Sequence, residues 1–197
     1  MEFYNKVKWV LGIMIVFVLI VATNLIDRNN FLRVKDSVET IYEDRLVAND
    51  LIFEMSKSVQ EIELAVAKSD SGFFLEKSKQ VNNEIQGFVT SFEQTKLTLD
   101  EESIFIKFKS NLELLRNSET AFIESNFVQK ATLEKQISKV RNNLYALAKI
   151  QLIEGQRQMS ISKKAIDIVE LFTQLEIYLL IFLAIIVQII VIYNPKD

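Results

Sequence analysis

Apolar residues recur at alternating steps of three and four through Phe31, Val34, Val38, Ile41, Ala48, Ile52, Met55, Val59, Ile62 and Val66, and one position in the series holds Arg45 instead. That spacing predicts a long helix packed against others in coiled-coil fashion. The pattern stops at KSDSGF, where Ser69, Asp70 and Gly72 supply stop and cap residues. A second stripe, Phe74, Val81, Ile85, Phe88 and Phe92, predicts a return helix to about Lys96. In LTLDEES, Thr98 and Glu101 have capping-box spacing, and Asp100, Glu101 and Glu102 lie where a helix dipole favours acids. A third helix follows through Phe105, Phe108, Leu112, Leu115 and Phe122, with a weak break at Glu124 to Phe127. From about Gln129 the pattern resumes with Leu133, Ile137, Val140, Leu144 and Leu147 and meets no stop before Tyr193.

Two stretches lose their polar face altogether. Trp9 to Ile26 and Ile177 to Tyr193 carry no charge and approach the roughly 20 residues that span a bilayer. Lys6 and Lys8 ahead of the first would also suit a cleaved signal peptide, but no small-x-small cleavage site follows and the helical pattern runs straight on. An uncleaved anchor is therefore expected. The N-terminal lysines and the acids Asp167, Glu170 and Glu176 before the second stretch put both termini in the cytoplasm. The expected order is a cytoplasmic N-terminus at 1–8, a transmembrane helix at 9–26, a periplasmic four-helix bundle at 27–176, a transmembrane helix at 177–193 and a cytoplasmic tail at 194–197. The fold class is all-α: two transmembrane helices continuous with a long antiparallel four-helix bundle.

Composition then removes most chemistry. Among 197 residues there are four glycines, one proline and neither histidine nor cysteine. Ser-His or Cys-His catalysis, the usual zinc ligand sets, haem ligation by histidine and disulfides are all ruled out. A non-enzymatic protein with no metal and no cofactor is expected. Net charge is -3 with both signs interspersed, and no basic face appears, so nucleic acid is not an expected partner.

The charged position in the first stripe is the most informative single feature. At 1.5 Å per residue, Arg45 lies roughly 30 Å beyond the first span, while Gln151, Glu154 and Gln158 interrupt the fourth helix at roughly 28 to 39 Å above the second. A single buried or half-buried polar layer is expected, with Arg45 paired to Glu154, glutamine amides around it and the acidic turn at Asp100 to Glu102 nearby. Such a layer fixes register and oligomer state. A guanidinium there can also take a small acidic ligand in bidentate fashion. Gly155 lowers helix stability by about 1 kcal/mol beside Glu154. Gln188, inside the second span, marks an expected partner contact within the membrane. The middle hairpin turns well above the bilayer, so only the first and fourth helices reach it, and a homodimer completes the bundle at that level.

With SVETIYEDRLVANDLIFEMSKSV, LTLDEESIFIKFKSNLE and LYALAKIQLIEGQRQMS in view, the chain resembles the four-helix-bundle sensor modules of methyl-accepting chemotaxis receptors and related bacterial transducers. The segment Tyr42 to Leu46 carries most of that resemblance. It implies a periplasmic ligand-sensing dimer in the bacterial inner membrane that passes small displacements of the fourth helix through the membrane, and it puts Arg45 at an acidic ligand. Those receptors continue into a linker and a signalling hairpin, whereas this sequence stops at NPKD. A sensory module without its own output domain, signalling through a separate membrane or cytoplasmic protein, is the expectation. The rival is an accessory or scaffold subunit of a larger inner-membrane complex.

Overall fold

The computed structural model of the chain describes residues 2–192, with side chains over 12–186 apart from 13 and 184. The described residues contain no strand. They form α1 (Glu2–Thr40), a π-helical turn (Ile41–Leu46), α2 (Val47–Lys68), a second π turn (Phe73–Lys77), α3 (Ser78–Glu93), α4 (Leu99–Glu124) and α5 (Lys130–Ile192). The chain divides into two compact units, one of residues 39–158 and one of residues 1–38 with 159–197.

The unit of residues 39–158 has a continuous apolar core to which α2, the second π turn, α3, α4 and α5 all contribute. From Ala48 to Val66 the stripe is buried as its spacing requires, and α4 buries Phe105, Phe108, Leu112, Leu115 and Phe122. In α3 the inward position after Ile85 is Val89, and Phe88 is only half-buried. Ion pairs and amides cross between neighbouring helices on their rims: Arg141 to Glu63 at 2.6 Å between α5 and α2, and Asn111 to Asn143 at 2.7 Å between α4 and α5.

The turns follow from local chemistry. Helix α2 closes at Ser69, which takes the left-handed conformation at φ 54°, and the Asp70 N–H reaches back to Ala65 O at 2.9 Å. The Asp70 carboxylate then accepts the Phe73 N–H at 3.1 Å and starts the next helical segment. At the other end of α4, Asn126 and Phe127 have positive φ, which turns the chain and seats the Phe127 ring against Phe122 and Phe74. The hairpin at 94–98 ends in the Thr98 capping box.

In the unit of residues 1–38 and 159–197, the buried polar positions of α1 are Thr23, Asn30 and Ser37, seven residues apart, and α5 buries the polar Ser162 and, three residues on, the apolar Ala165. The stripe read from sequence puts Phe31 and Val38 inward. They are instead 67% and 55% exposed, and the adjacent residues Asn30 and Ser37 are buried. The π turn supplies the reason, since it takes up one extra residue and shifts the phase of the inward face by one position.

Among the described residues one helix is long and apolar enough to cross a membrane, Met14–Lys68, near the N-terminus. The second expected span runs along α5, which extends to Ile192; Tyr193 and the side chain of Gln188 lie outside the described residues.

Candidate functional site

Arg45 sits in the π turn, where the backbone carries it into the core of its unit at 7% exposure. A buried guanidinium needs a countercharge and a full set of acceptors. The countercharge comes from the start of α4: Arg45 Nη1 donates to Glu101 Oε1 at 2.7 Å, with the Glu101 side chain fully enclosed. The same Nη1 donates to Gln151 Oε1 on α5 at 3.0 Å, and Nη2 donates to the Lys96 carbonyl at 3.2 Å. One side chain of the π turn thus holds the hairpin turn, the head of α4 and α5 together.

Glu101 has two jobs, and the capping box explains how it does both. As the third residue of α4 it accepts the Thr98 N–H on Oε2 at 2.6 Å, while Thr98 Oγ1 accepts the Glu101 N–H at 3.3 Å. The cap fixes the carboxylate's rotamer, so Oε1 is held ready for Arg45. Gln151, at 3% exposure, spends its carbonyl on Arg45. Arg45 Nε and Gln151 Nε2 are both buried with no acceptor among the described residues. The layer pairs one cationic with one acidic side chain and retains two buried hydrogen-bond donors.

The structure brings Arg45 and Gln151 together and leaves Glu154 and Gln158 outside the layer. Glu154 is half-buried and faces Arg157 at 3.4 Å, one turn along its own helix. Gln158 is half-exposed. The partner expected at Glu154 is therefore Glu101, because the hairpin turn delivers a carboxylate already oriented by its cap.

A second buried polar group lies further along α4 and went unread in the sequence. Glu119 is 4% exposed and accepts the Asn82 side-chain amide of α3 on Oε2 at 2.7 Å. Burial pushes its carboxyl up to about 7, against the smaller lowering effects of the Asn82 amide and the Arg116 charge. The signal was available: Glu119 stands four residues after Leu115 and three before Phe122, at a core position of the third stripe.

The bundle, with its polar layer at the foot of the hairpin, agrees with the comparison to known families. Residues 4–165 match the model of the four-helix-bundle sensory module for signal transduction, and the chain belongs to that family. No curated protein and no solved structure matches it.

Proposed function

We propose that this chain is the sensing part of a membrane-anchored, chemoreceptor-like transducer, non-enzymatic and free of cofactors. In this reading residues 9–26 and 177–193 cross the bacterial inner membrane, 27–176 lie in the periplasm and both termini are cytoplasmic. Two copies pair through the long first and last helices, and the signal passes to a separate membrane or cytoplasmic protein. The observation that carries the reading, beside family membership, is the Arg45 node: one guanidinium links α4 and the hairpin turn to Gln151 on the helix that leads to the second apolar stretch. A change in packing or ligation at that node alters how α5 is held relative to α2. The two free donors, Arg45 Nε and Gln151 Nε2, support a small acidic ligand as the input.

One observation favours a second reading. The charge of Arg45 is already matched inside the chain by Glu101, as in a device that only fixes register. That suits an accessory or scaffold subunit of a larger inner-membrane complex. Mild-detergent extraction of the full-length protein from its native membrane, with mass spectrometry and a mass measurement on the particle, separates the two. A homodimer whose thermal stability rises with an added small dicarboxylate is the expected result. A fixed-ratio complex with an unrelated subunit and no response to such acids would replace the sensor with the scaffold.

A further inference from the structure

The pair Asn82–Glu119 is short of a proton. The Asn82 amide nitrogen donates to Glu119 Oε2 at 2.7 Å, which leaves the amide oxygen Oδ1 and the carboxyl oxygen Oε1; both are buried, and both lack a donor. Two buried acceptors in one hydrogen-bonded pair, both without a donor, are costly. A proton on Oε1 removes the deficit, because a carboxylic acid and a primary amide can close a ring of two hydrogen bonds, N–H to one oxygen and O–H to the other.

The surroundings favour that state. Arg116, one turn earlier on α4, is the nearest cation, but its Nη2 is engaged at 3.1 Å by the Asn82 carbonyl and at 3.1 Å by Gln86 Oε1 on α3. Its Nε is buried without an acceptor. The antiparallel cross-links Asn111–Asn143 and Lys130–Ala67 set Glu119 level with Leu133 and Ile137 on α5 and with Ile62 and Val66 on α2, all buried and apolar. The charged residues of those helices near this level are Glu63 and Lys68 on α2, Lys79 and Glu84 on α3, and Lys135 and Lys139 on α5. Glu63 is half-exposed and bound to Arg141, and the other five are exposed. Glu134 of α5 is likewise outward and faces Lys130. None of these stands at an inward position of its helix.

We infer that Asn82 and Glu119 form a proton-operated clasp between α3 and α4, closed by two hydrogen bonds when Glu119 is protonated and loosened when it ionises. Burial pushes this carboxyl up to about 7, so in the periplasmic placement proposed above the change falls within the pH range that compartment meets. The clasp lies away from the Arg45 node and does not depend on an acidic ligand acting there; a bundle with or without such a ligand would report proton activity through α3 and α4.

The test is hydrogen exchange on the full-length protein in detergent, comparing amide protection of α3 and α4 at pH 6 and pH 8 after correction for intrinsic exchange. Protection over residues 82–86 and 116–122 should fall on the order of 10-fold at the higher pH, a value that follows from the displaced carboxyl. Glu119→Gln carries the missing donor permanently and should keep protection high at both pH values. An equal pH response in Glu119→Gln and the unaltered protein would overturn the clasp. Should that variant fail to fold, infrared difference spectra of the unaltered protein decide. A buried protonated-carboxyl band present at pH 6 and lost by pH 8 supports the clasp, and a carboxylate at both values overturns it.

Discussion

Arg45 and Glu101, 56 residues apart in sequence, meet at 2.7 Å inside the bundle, and the carboxylate that holds the guanidinium is the same one that caps α4. This coupling makes the head of α4 a structural dependant of the π turn that precedes α2. It also sets what substitutions should cost.

Replacing Arg45 with alanine leaves Glu101 buried and unpaired, for which about 3 to 5 kcal/mol of destabilisation is expected. The pair itself is worth less than that loss. Arg45→Met combined with Glu101→Leu removes both charges and fills the space, so the double variant should be more stable than Arg45→Ala alone. Denaturant titration of the full-length protein in detergent, read by the helical signal, gives both values. A double variant less stable than Arg45→Ala would mean that the capping role of Glu101 outweighs the ion pair.

Thr98→Ala should be the milder change at the same corner. It removes the hydroxyl acceptor of the Glu101 N–H and is expected to cost about 1 kcal/mol. Glu101→Gln keeps the side chain's length and a carbonyl oxygen but leaves the guanidinium without a countercharge, so it should cost more. If the two variants melt at the same temperature, the charge of Glu101 contributes nothing beyond its hydrogen bonds.

The pH dependence of stability follows from Glu119. Its carboxyl is pushed up to about 7 in the folded chain from an ordinary value of 4.5, so between those limits the native state binds more protons than the unfolded state. Stability therefore falls as pH rises across that interval and levels off above it, by on the order of 3 kcal/mol in total. Thermal melts from pH 5 to pH 8.5 should show the fall, and Glu119→Gln should flatten it. A melting temperature that rises through this interval in the unaltered protein would contradict the assignment.

Much of this was legible in the chain because helical spacing is regular enough to expose exceptions. Arg45 was visible as a charge in an apolar series, Gln151 as an amide at the matching height, and the Thr98–Glu101 cap as a spacing of three. The pairing of Arg45 with Glu101 was not, since a cap motif reports only local bonds and says nothing of the carboxylate's second oxygen. Glu154 shares its helix face with Gln151 closely enough that phase alone could not separate them. The exposure of Phe31 and Val38 escaped for a different reason: a π turn leaves no mark on the residue pattern, yet it moves every upstream position by one. Glu119 was readable by the same rule that singled out Arg45.

The same regularity leaves a face to be covered. Tyr145, Leu152, Met159 and Ile166 recur every seven residues along α5 and are all at least half exposed, a heptad seam of the kind that a second helix of its own sort buries. In a two-fold homodimer, residues near the axis meet their own copies. The chain has no cysteine, so a single introduced one reports contact without background. Leu152→Cys in native membranes should form a disulfide-linked dimer on mild oxidation, whereas Arg157→Cys, exposed but about 140° round the helix from Leu152, should do so far more slowly. Equal cross-linking at both positions would indicate collision rather than a seam. No cross-linking at Leu152 or at Ile166→Cys would leave this face to a different protein.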